Sequence, residues 1–444
     1  MNPFLEVSPM TFSESVKKVL LEKIQNMAAC PGPFVRNPGS DFTRTRKLDF
    51  ATTIRCLIAM ESGSLKKELL ELFHYHPDTA TVSAFNQQRQ KILPEALEVL
   101  FREFNKAFAQ YQTYRGYRLL ACDGTDLNIP RNSRDPDNYF QSNPGEKGFN
   151  QLHLNALYDL CSRRYTDAVI QPGRKNNECR ALADMIDRCD AGSKTIFIAD
   201  RGYESYNIFA HTEQRDMFYL VRVRDIGRNT SMTSSFGLPP TEEFDTDVHL
   251  TLTRKQSKRA RACSGIYKFL PNNSTFDYLE QHEFYPITLR VVRFPLTTGT
   301  YECVITNLPR DTFSPDELKT LYGMRWGIET SFRELKDAIG LSSFHAKKGE
   351  SIQQEIFARL LLYNFCEIIT THVVIQQKDT KHSYQVNYTL AIHICRHFLR
   401  FHSDRSPPGV EMLIHKNLLP VRPGRSDPRK VKPQSAVSFL YRVA

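Results

Sequence analysis

The chain has 444 residues, of which 41% are hydrophobic, 24% charged and 11% aromatic. This composition is typical of a globular protein and excludes a disordered or fibrous one, and the length suffices for about three domains. Lys and Arg number 59 against 49 Asp and Glu, which gives a net charge of +10. An excess of this size favours a polyanionic partner or surface.

The sequence predicts neither a membrane span nor a secreted protein. The most apolar stretch, residues 356–375, contains Arg359, Glu367 and His372 and therefore predicts a buried helix. The first 20 residues lack the charged segment and following apolar segment of a secretion signal. The ten cysteines form no C-x-x-C pair, which indicates a reducing compartment. We therefore expect a cytoplasmic protein without membrane contact.

Residues 1–112 are expected to form a helical N-terminal DNA-binding domain. Apolar periodicity predicts helices over 10–27, 48–60, 65–74 and 82–111. The start of the last helix carries an amide- and Arg-rich run, Gln87, Gln88, Arg89, Gln90 and Lys91. Helices followed by such a helix fit a helix-turn-helix unit. An ordinary helical bundle with a solvated face fits the same pattern and stays open.

Residues 113–225 change to an α/β pattern. Apolar runs predict strands over 117–122, 152–160, 165–170, 195–199 and 217–223, with helices over 177–189 and 206–213. This order predicts a mixed sheet with crossovers. Asp123 and Asp200 each directly follow a predicted strand and precede a glycine by one or two residues. Ligands gather at such strand ends, although a turn cap is the ordinary alternative for one aspartate.

Residues 226–300 predict a β-rich insertion. Short strand-like runs lie at 247–252, 265–269 and 287–294. Between the first two lies a basic run without an acid, which consists of Arg254, Lys255, Lys258, Arg259 and Arg261. We expect this run to bind DNA, with a solvated hairpin as the alternative.

A helix predicted over 314–340 carries the most informative pattern. It begins with a capping box at Ser314 and Glu317, with Pro315 at its first position. At about 100° per residue, one stripe of this helix holds Tyr322, Arg325, Glu329, Arg333 and Lys336. A salt-bridged surface helix is the ordinary alternative. A carboxylate for a metal ion, flanked by cations for phosphates, explains the pattern better.

The chain after this helix is predicted to complete the core and then end in a tail. A second long helix is expected over about 351–375. Residues 301–402 are therefore assigned to a second part of the core. Residues 403–444 hold eight Lys or Arg against three acids and predict a basic C-terminal tail.

Three motifs together resemble a known family. The spacing from Tyr322 through Arg325 and Glu329 to Lys336 resembles the Y-R-E-K signature of bacterial insertion-sequence transposases of the DDE type, the insertion-sequence-four family. Segments 123–130 and 199–203 resemble the first and second acidic motifs of that family. The resemblance spans about residues 45 to 375. It implies an α/β, ribonuclease H-like mixed-sheet catalytic core over 113–225 and 301–402, interrupted by the β-rich insertion.

The resemblance also implies a site. Asp123, Asp200 and Glu329 would be catalytic and would bind two Mg²⁺ ions, with Mn²⁺ as a substitute. Two divalent ions suit phosphodiester cleavage, and carboxylates are natural ligands for Mg²⁺. The remaining residues of the stripe would contact DNA, namely Tyr322, Arg325, Arg333 and Lys336. Asp126 is expected to support the site or cap a turn rather than bind metal.

The implied function is DNA transposition. The protein would bind terminal inverted repeats, cut double-stranded DNA and join it to target DNA, as a homodimer that bridges two ends. A catalytically inactive DNA-binding regulator and a metal-dependent nuclease without joining activity remain as alternatives. Relatives that form a hairpin stack a flipped base on an aromatic ring of the insertion, where this chain offers Tyr267, Phe269, Phe276, Tyr278, Phe284 and Tyr285. Its single tryptophan, Trp326, is predicted to pack in the core behind Glu329.

Overall fold

A computed structural model describes most of the chain. The described residues are 11–44, 46–226, 231–239, 241–256, 258, 262–263, 265–279, 284–296, 299–373, 384–400 and 409–421. Arg259 and Arg261 of the predicted basic run lie outside these residues, as does most of the predicted tail.

The N-terminal region is helical, as predicted. Its helices are α1 (Phe12–Ala29), α2 (Phe50–Ala59), α3 (Leu65–Leu72), α4 (Val82–Arg89) and α5 (Glu95–Ala107). Side chains of Thr11, Asp49, Ser64 and Thr81 accept hydrogen bonds from the first turns of α1 to α4. The prediction of one helix over 82–111 was wrong, because Pro94 disfavours helical geometry at the residue before it and separates α4 from α5.

A ten-stranded mixed sheet forms the centre of the protein. Its strands are β1 (Arg118–Ile129), β2 (Tyr139–Phe140), β3 (Phe149–Asp159), β4 (Arg164–Pro172), β5 (Thr195–Ala199), β6 (Phe218–Val223), β7 (Phe244–Thr253), β8 (Tyr267–Phe269), β9 (Tyr285–Pro295) and β10 (Tyr301–Thr306). The spatial order is β2-β3-β1-β5-β6-β10-β9-β7-β8, and β4 also pairs with β3. The predicted mixed α/β architecture is therefore confirmed.

The pairing directions define a core of five strands within this sheet. Strands β1, β5 and β6 are parallel, while β3 is antiparallel to both β1 and β4. Two helices, α6 (Glu178–Asp187) and α7 (Tyr206–Gln214), form the crossovers before and after β5. Strands β7, β8 and β9, which come from the segment predicted as a β-rich insertion, extend the same sheet beyond β10.

The C-terminal half adds helices that cover the sheet. They are α8 (Pro315–Met324), α9 (Trp326–Asp337), α10 (Gly349–His372), α11 (Tyr388–Arg400) and α12 (Val410–Lys416), beside a small sheet of β11 (Tyr384–Gln385) and β12 (Leu419–Pro420). Helix α10 is buried along nearly its whole length, which confirms the buried helix predicted there. Among the described residues, no helix is long and apolar enough to cross a membrane.

Alternating side chains of β1 divide the core between the two faces of the sheet. Leu119 and Ala121 face α8, α9, α10 and the N-terminal helices. Leu120 and Cys122 face α6 and α7 on the opposite side. The N-terminal helices, α10 and one face of the sheet share one apolar cluster.

The amide- and Arg-rich run of α4 is largely turned inward. Arg89 donates to Glu355 at 2.7 Å and to the backbone oxygen of Ser351 at 2.8 Å, and the ion pair is almost completely buried. Gln88 is also buried. These two residues are therefore not exposed on the surface of α4, because Arg89 fastens α4 to α10.

Candidate active site

Two aspartates lie just beyond the point where the parallel strands β1 and β5 cease to pair. Strands β1 and β5 pair from Arg118 with Thr195 to Ala121 with Ile198, and the same register brings Asp123 level with Asp200. Neighbouring strands are about 4.8 Å apart. Alternation places both aspartates on the face that Ile198 and Ala121 share, toward α8 and α9. The sheet thus aims two carboxylates at one region.

Asp200 lies directly after β5, as predicted, but Asp123 does not end its strand. Strand β1 continues to Ile129, and Asp123 pairs with Ala156 of β3 in its middle. The prediction of a strand end at Cys122 was wrong, because the polar residues after it are held by the long antiparallel partner. Only the pairing of β1 with β5 ends before Asp123, at Ala121 and Ile198. Oδ1 of Asp123 accepts the Gly124 N–H at 2.9 Å, and Oδ1 of Asp200 accepts the Gly202 N–H at 2.7 Å.

The helix predicted over 314–340 is two helices that meet at Arg325. The capping box at Ser314 is confirmed at the start of α8. At the junction, the Arg325 N–H bonds to the Tyr322 carbonyl and the Ile328 N–H bonds to the Arg325 carbonyl, both across three residues. These tighter turns interrupt the α-helical period. The prediction of one continuous helix over 314–340 was therefore wrong, although Arg325 still lies 5.6 Å from the Tyr322 ring and contacts Glu329.

After the break, α9 brings Glu329 and Arg325 to the aspartates. Nη2 of Arg325 donates to Oε1 of Glu329 at 2.6 Å, and its Nη1 lies 3.6 Å from Oδ2 of Asp123. The Arg325 side chain is only 6% exposed. Burial raises the pKa of Asp123 to about 6, the Gly124 N–H and Arg325 oppose this rise, and the charges of Asp200 and Glu329 add to it. The three acids therefore influence one another through a partly buried space.

The other residues of the predicted stripe occupy three different environments. Nζ of Lys336 donates to Oγ1 of Thr125 at 2.5 Å and to the Asp126 carbonyl at 3.2 Å, so it reaches β1 just beyond Asp123. Arg333 is exposed. Tyr322 is buried in the apolar cluster of α8, and its hydroxyl is shielded from solvent. Its predicted contact with a DNA phosphate is therefore not open in this arrangement.

The donor set suits a hard divalent cation. Asp123, Asp200 and Glu329 supply carboxylate oxygens, which Mg²⁺ prefers to nitrogen or sulfur. Across the described part of the chain, however, no three Asp, Glu, His or Cys side chains converge tightly enough to hold an ion. The reason is visible in the geometry, because the Arg325 guanidinium bridges Asp123 and Glu329 and supplies the positive charge between them.

Sequence reasoning missed a second polar group on the opposite face of β1. His153 of β3 contacts Oδ1 of Asp126 through Nδ1 at 2.8 Å, and its Nε2 lies 2.9 Å from Oε1 of Glu178. Burial lowers the pKa of His153, but its contacts with Asp126 and Glu178 outweigh burial and raise the pKa to about 9. Asp126 therefore supports a histidine, and its exclusion from the metal ligands stays a prediction. The glycine after Asp123 was the available signal for a close neighbour.

Trp326 lies on the surface, so the prediction that it packs in the core was wrong. Its side chain is 59% exposed, and the Arg325 guanidinium lies 5.6 Å from its ring. Trp326 is the first residue of α9. The only tryptophan of the chain is thus an exposed ring within one turn of Glu329.

The aromatic and basic residues of 226–300 separate into buried and accessible sets. Phe276 and Tyr285 are buried, whereas Phe269 and Phe284 are 36% and 44% exposed. Arg254 donates to the carbonyls of residues 271, 274 and 276 and so braces its own loop. The side chains of residues 255 and 258 are exposed.

Comparisons with known proteins agree on one class. A family model described as "Transposase DDE domain" matches residues 114–365, a span that contains all three acids. InsL, assigned as a transposase for insertion sequence element IS186A of Escherichia coli strain K12, is 24% identical over 359 residues, which cover 73% of this chain and 86% of that protein. The transposase for insertion sequence element IS421 of Escherichia coli is 24% identical over 361 residues, with the same coverage.

Among solved structures, the piggyBac transposase synaptic complex with hairpin DNA aligns with 88% of this chain and 78% of its own chain. The TM-score is 0.43 and the sequence identity 9%. A TM-score below 0.5 does not establish a shared fold.

Proposed function

Because the chain belongs to the DDE transposase family, whose enzymes cleave DNA and transfer its strands, we propose that it moves a bacterial insertion sequence of the insertion-sequence-four type. It would bind the terminal inverted repeats of its own element, excise the element and join it to target DNA. The single observation that carries this proposal is the convergence of three acids on Asp123, since Arg325 bridges Asp123 to Glu329 and the charge of Asp200 acts on Asp123.

Asp123, Asp200 and Glu329 are the proposed metal ligands. Two Mg²⁺ ions, or Mn²⁺ in their place, would activate the attacking oxygen and stabilise charge on the attacking and leaving oxygens. In the absence of metal, the Arg325 guanidinium neutralises two of these acids. When ions and DNA bind, that guanidinium becomes available to a phosphate oxygen, which it can bind through two parallel N–H groups.

The remaining chemistry needs no covalent enzyme intermediate. Water attacks the phosphodiester at the element end and releases a 3′-hydroxyl, which then attacks target DNA at the same site. Lys336, which reaches β1 beside Asp123, would hold a phosphate near the scissile bond. Arg333 is exposed on the same helix and would contact DNA farther from it.

A ribonuclease H-like core is the proposed framework for these residues. It consists of β4-β3-β1-β5-β6 with α6, α7 and α9. Asp123 lies on its first strand, Asp200 directly after its fourth strand, and Glu329 on its last helix. The domain limits 1–112, 113–225, 226–300, 301–402 and 403–444 remain the proposed division of the chain. The clustering of N-terminal helices on α10 supports a first unit that is docked onto the core.

The proposed partners are double-stranded DNA and a second copy of the chain. The net charge of +10 supports a polyanionic partner, and the exposed side chains at 255 and 258 support the insertion as one contact. A homodimer would bridge the two ends of the element. A place in the bacterial cytoplasm, beside the nucleoid, is the proposed location.

The direct test is cleavage and joining of DNA that carries the element ends. The wild-type protein with Mg²⁺ should release the ends and join them to a target plasmid. Variants Asp123→Ala, Asp200→Ala and Glu329→Ala should bind the ends but not cut them, because most affinity comes from phosphate contacts elsewhere. Asp337→Ala, which removes an exposed acid from the same helix as Glu329, should cut normally.

Other outcomes identify the alternatives. End binding by the wild-type protein without any cleavage would indicate an inactive DNA-binding regulator. Cleavage without joined products would indicate a nuclease. Wild-type-like cleavage by any of the three variants would remove that residue from the metal site.

A further inference from the structure

A fourth carboxylate approaches the active site from the opposite face of the sheet. Glu178 is the first residue of α6, and Asn177 caps this helix by accepting the Arg180 N–H at 2.9 Å. The helix start is therefore fixed, and the Glu178 side chain projects beyond it toward β1 and the turn after β5. This direction leads to the two glycines that follow Asp123 and Asp200.

Both glycines leave room for this carboxylate. A Cβ added to Gly124 would lie 2.5 Å from Oε1 of Glu178. A Cβ added to Gly202 would lie 3.3 Å from Oε2 of Glu178 and 3.0 Å from Oδ1 of Asp200. A side chain at position 124 would displace the ends of Glu178 and His153, so Gly124 leaves room for both. Glu178 thus lies beside the backbone of Gly124, next to Asp123, and borders the same open space at Gly202 as the Asp200 carboxylate.

A buried histidine holds Glu178 in place. The His153 side chain is 7% exposed and lies between Asp126 and Glu178. Its Nε2 is 2.9 Å from Glu178, yet this buried nitrogen has no hydrogen bond of good geometry. The contacts of His153 with Asp126 and Glu178 fix the direction in which the Glu178 carboxylate points.

We propose that Glu178 is a fourth carboxylate of the metal centre and that His153 and Asp126 are positioning residues for it. This inference rests on the proposed function, since it concerns the same divalent ions. Mg²⁺ keeps several waters when it binds to proteins, so Glu178 contributes either directly or through such a water.

A simpler role for Glu178 makes a different prediction. An acid in the first turn of a helix stabilises it by about 0.3–1 kcal/mol through the helix dipole. That role would change stability but leave metal affinity unaltered. Metal affinity measured apart from catalysis therefore separates the two roles.

The test measures Mn²⁺ binding by the full chain without DNA, with electron paramagnetic resonance as the detection method. Glu178→Gln should weaken Mn²⁺ binding by about 10-fold or more, since loss of groups around a metal typically costs 10–100-fold. His153→Asn should weaken it in the same direction. Asp184→Asn is the matched control, because it removes an acid of similar exposure from the same helix.

Each result has one meaning. Weaker binding by Glu178→Gln and unchanged binding by Asp184→Asn support the inference. Mn²⁺ binding within twofold of wild type by Glu178→Gln overturns it and leaves the proposed function intact. If the wild-type chain binds no Mn²⁺, the metal centre itself fails. Glu178→Asp keeps the charge and shortens the side chain, so it supplies the comparison if the glutamine variant does not fold.

Discussion

Arg325 is expected to compete with metal ions for Asp123 and Glu329. Arg325→Ala would remove both the ion pair with Glu329 at 2.6 Å and the contact with Asp123 at 3.6 Å. A hydrogen bond to a charged group contributes about 1.5–3 kcal/mol. The Glu329 side chain is 34% exposed, so the lower end of that range applies. About 1.5 kcal/mol corresponds to roughly a tenfold change in an equilibrium constant.

We therefore predict that Arg325→Ala binds Mn²⁺ about tenfold more tightly than wild type in the absence of DNA. Cleavage should nevertheless be lost, because the same guanidinium is proposed to bind a phosphate. Arg333→Ala serves as the control, because it removes an exposed cation from the same helix and should leave Mn²⁺ affinity unchanged. Calorimetric titration measures the Mn²⁺ affinity of both variants. Unchanged or weaker Mn²⁺ binding by Arg325→Ala would refute the idea that Arg325 occupies the place of the metal charge.

Three further outcomes follow from other parts of the molecule. Replacing Lys255 and Lys258 with Gln should lower the slope of log K against log salt for end binding by up to about 0.9 per lost contact; an unchanged slope would assign both to a solvated hairpin. Trp326→Ala should leave the midpoint of thermal unfolding unchanged, because the ring is exposed. If the ring stacks on a base, an interaction of about 1–3 kcal/mol, Trp326→Ala should also reduce end processing on a denaturing gel, and Trp326→Phe should largely retain it. Arg89→Ala should lower the free energy of unfolding in urea by about 3–5 kcal/mol, because Glu355 is left buried without its partner. Burial raises the pKa of Glu355, but Arg89 and neighbouring donors outweigh burial and hold the pKa at about 2. Wild-type stability should therefore fall as the pH drops from about 4.3 toward 2, and a flat profile in that range would contradict this pairing.

Local pattern predicted the elements that carry most of the site. Strands β3, β5 and β6 and helices α6 and α7 have strong apolar periodicity, and the structure contains all of them. The acid after β5 was placed correctly, because an apolar run followed by Asp200-Arg-Gly is a local signal. The capping box at Ser314 was equally local and is present at the start of α8.

Long-range pairing accounts for what the pattern missed. Strand β1 continues through Asp123, Gly124 and Asp126, although these residues have low strand propensity, because β3 pairs with it along its length. The break at Arg325 has no proline or glycine at the junction itself. It accompanies the ion contacts of Arg325 with two acids, one of which is 202 residues away in sequence.

Glu178 illustrates the same limit for function. Its position in sequence, at the start of an ordinary crossover helix, carries no sign of its neighbours. Only the fold brings it to Gly124 and Gly202, 54 residues before it and 24 after it in the chain. The glycines were visible in the sequence, but the side chain that needs their space was not.

The central claim is that Asp123 binds a divalent metal during DNA cleavage, and a change of metal preference tests it most directly. In Asp123→Cys, a thiolate replaces the carboxylate, and thiolates are poor ligands for Mg²⁺ but better ones for softer ions. We predict that this variant does not cut element ends with Mg²⁺ and regains part of its cleavage with Mn²⁺, while Asp337→Cys cuts equally with both. Cleavage by Asp123→Cys at the wild-type rate with Mg²⁺ would contradict the account.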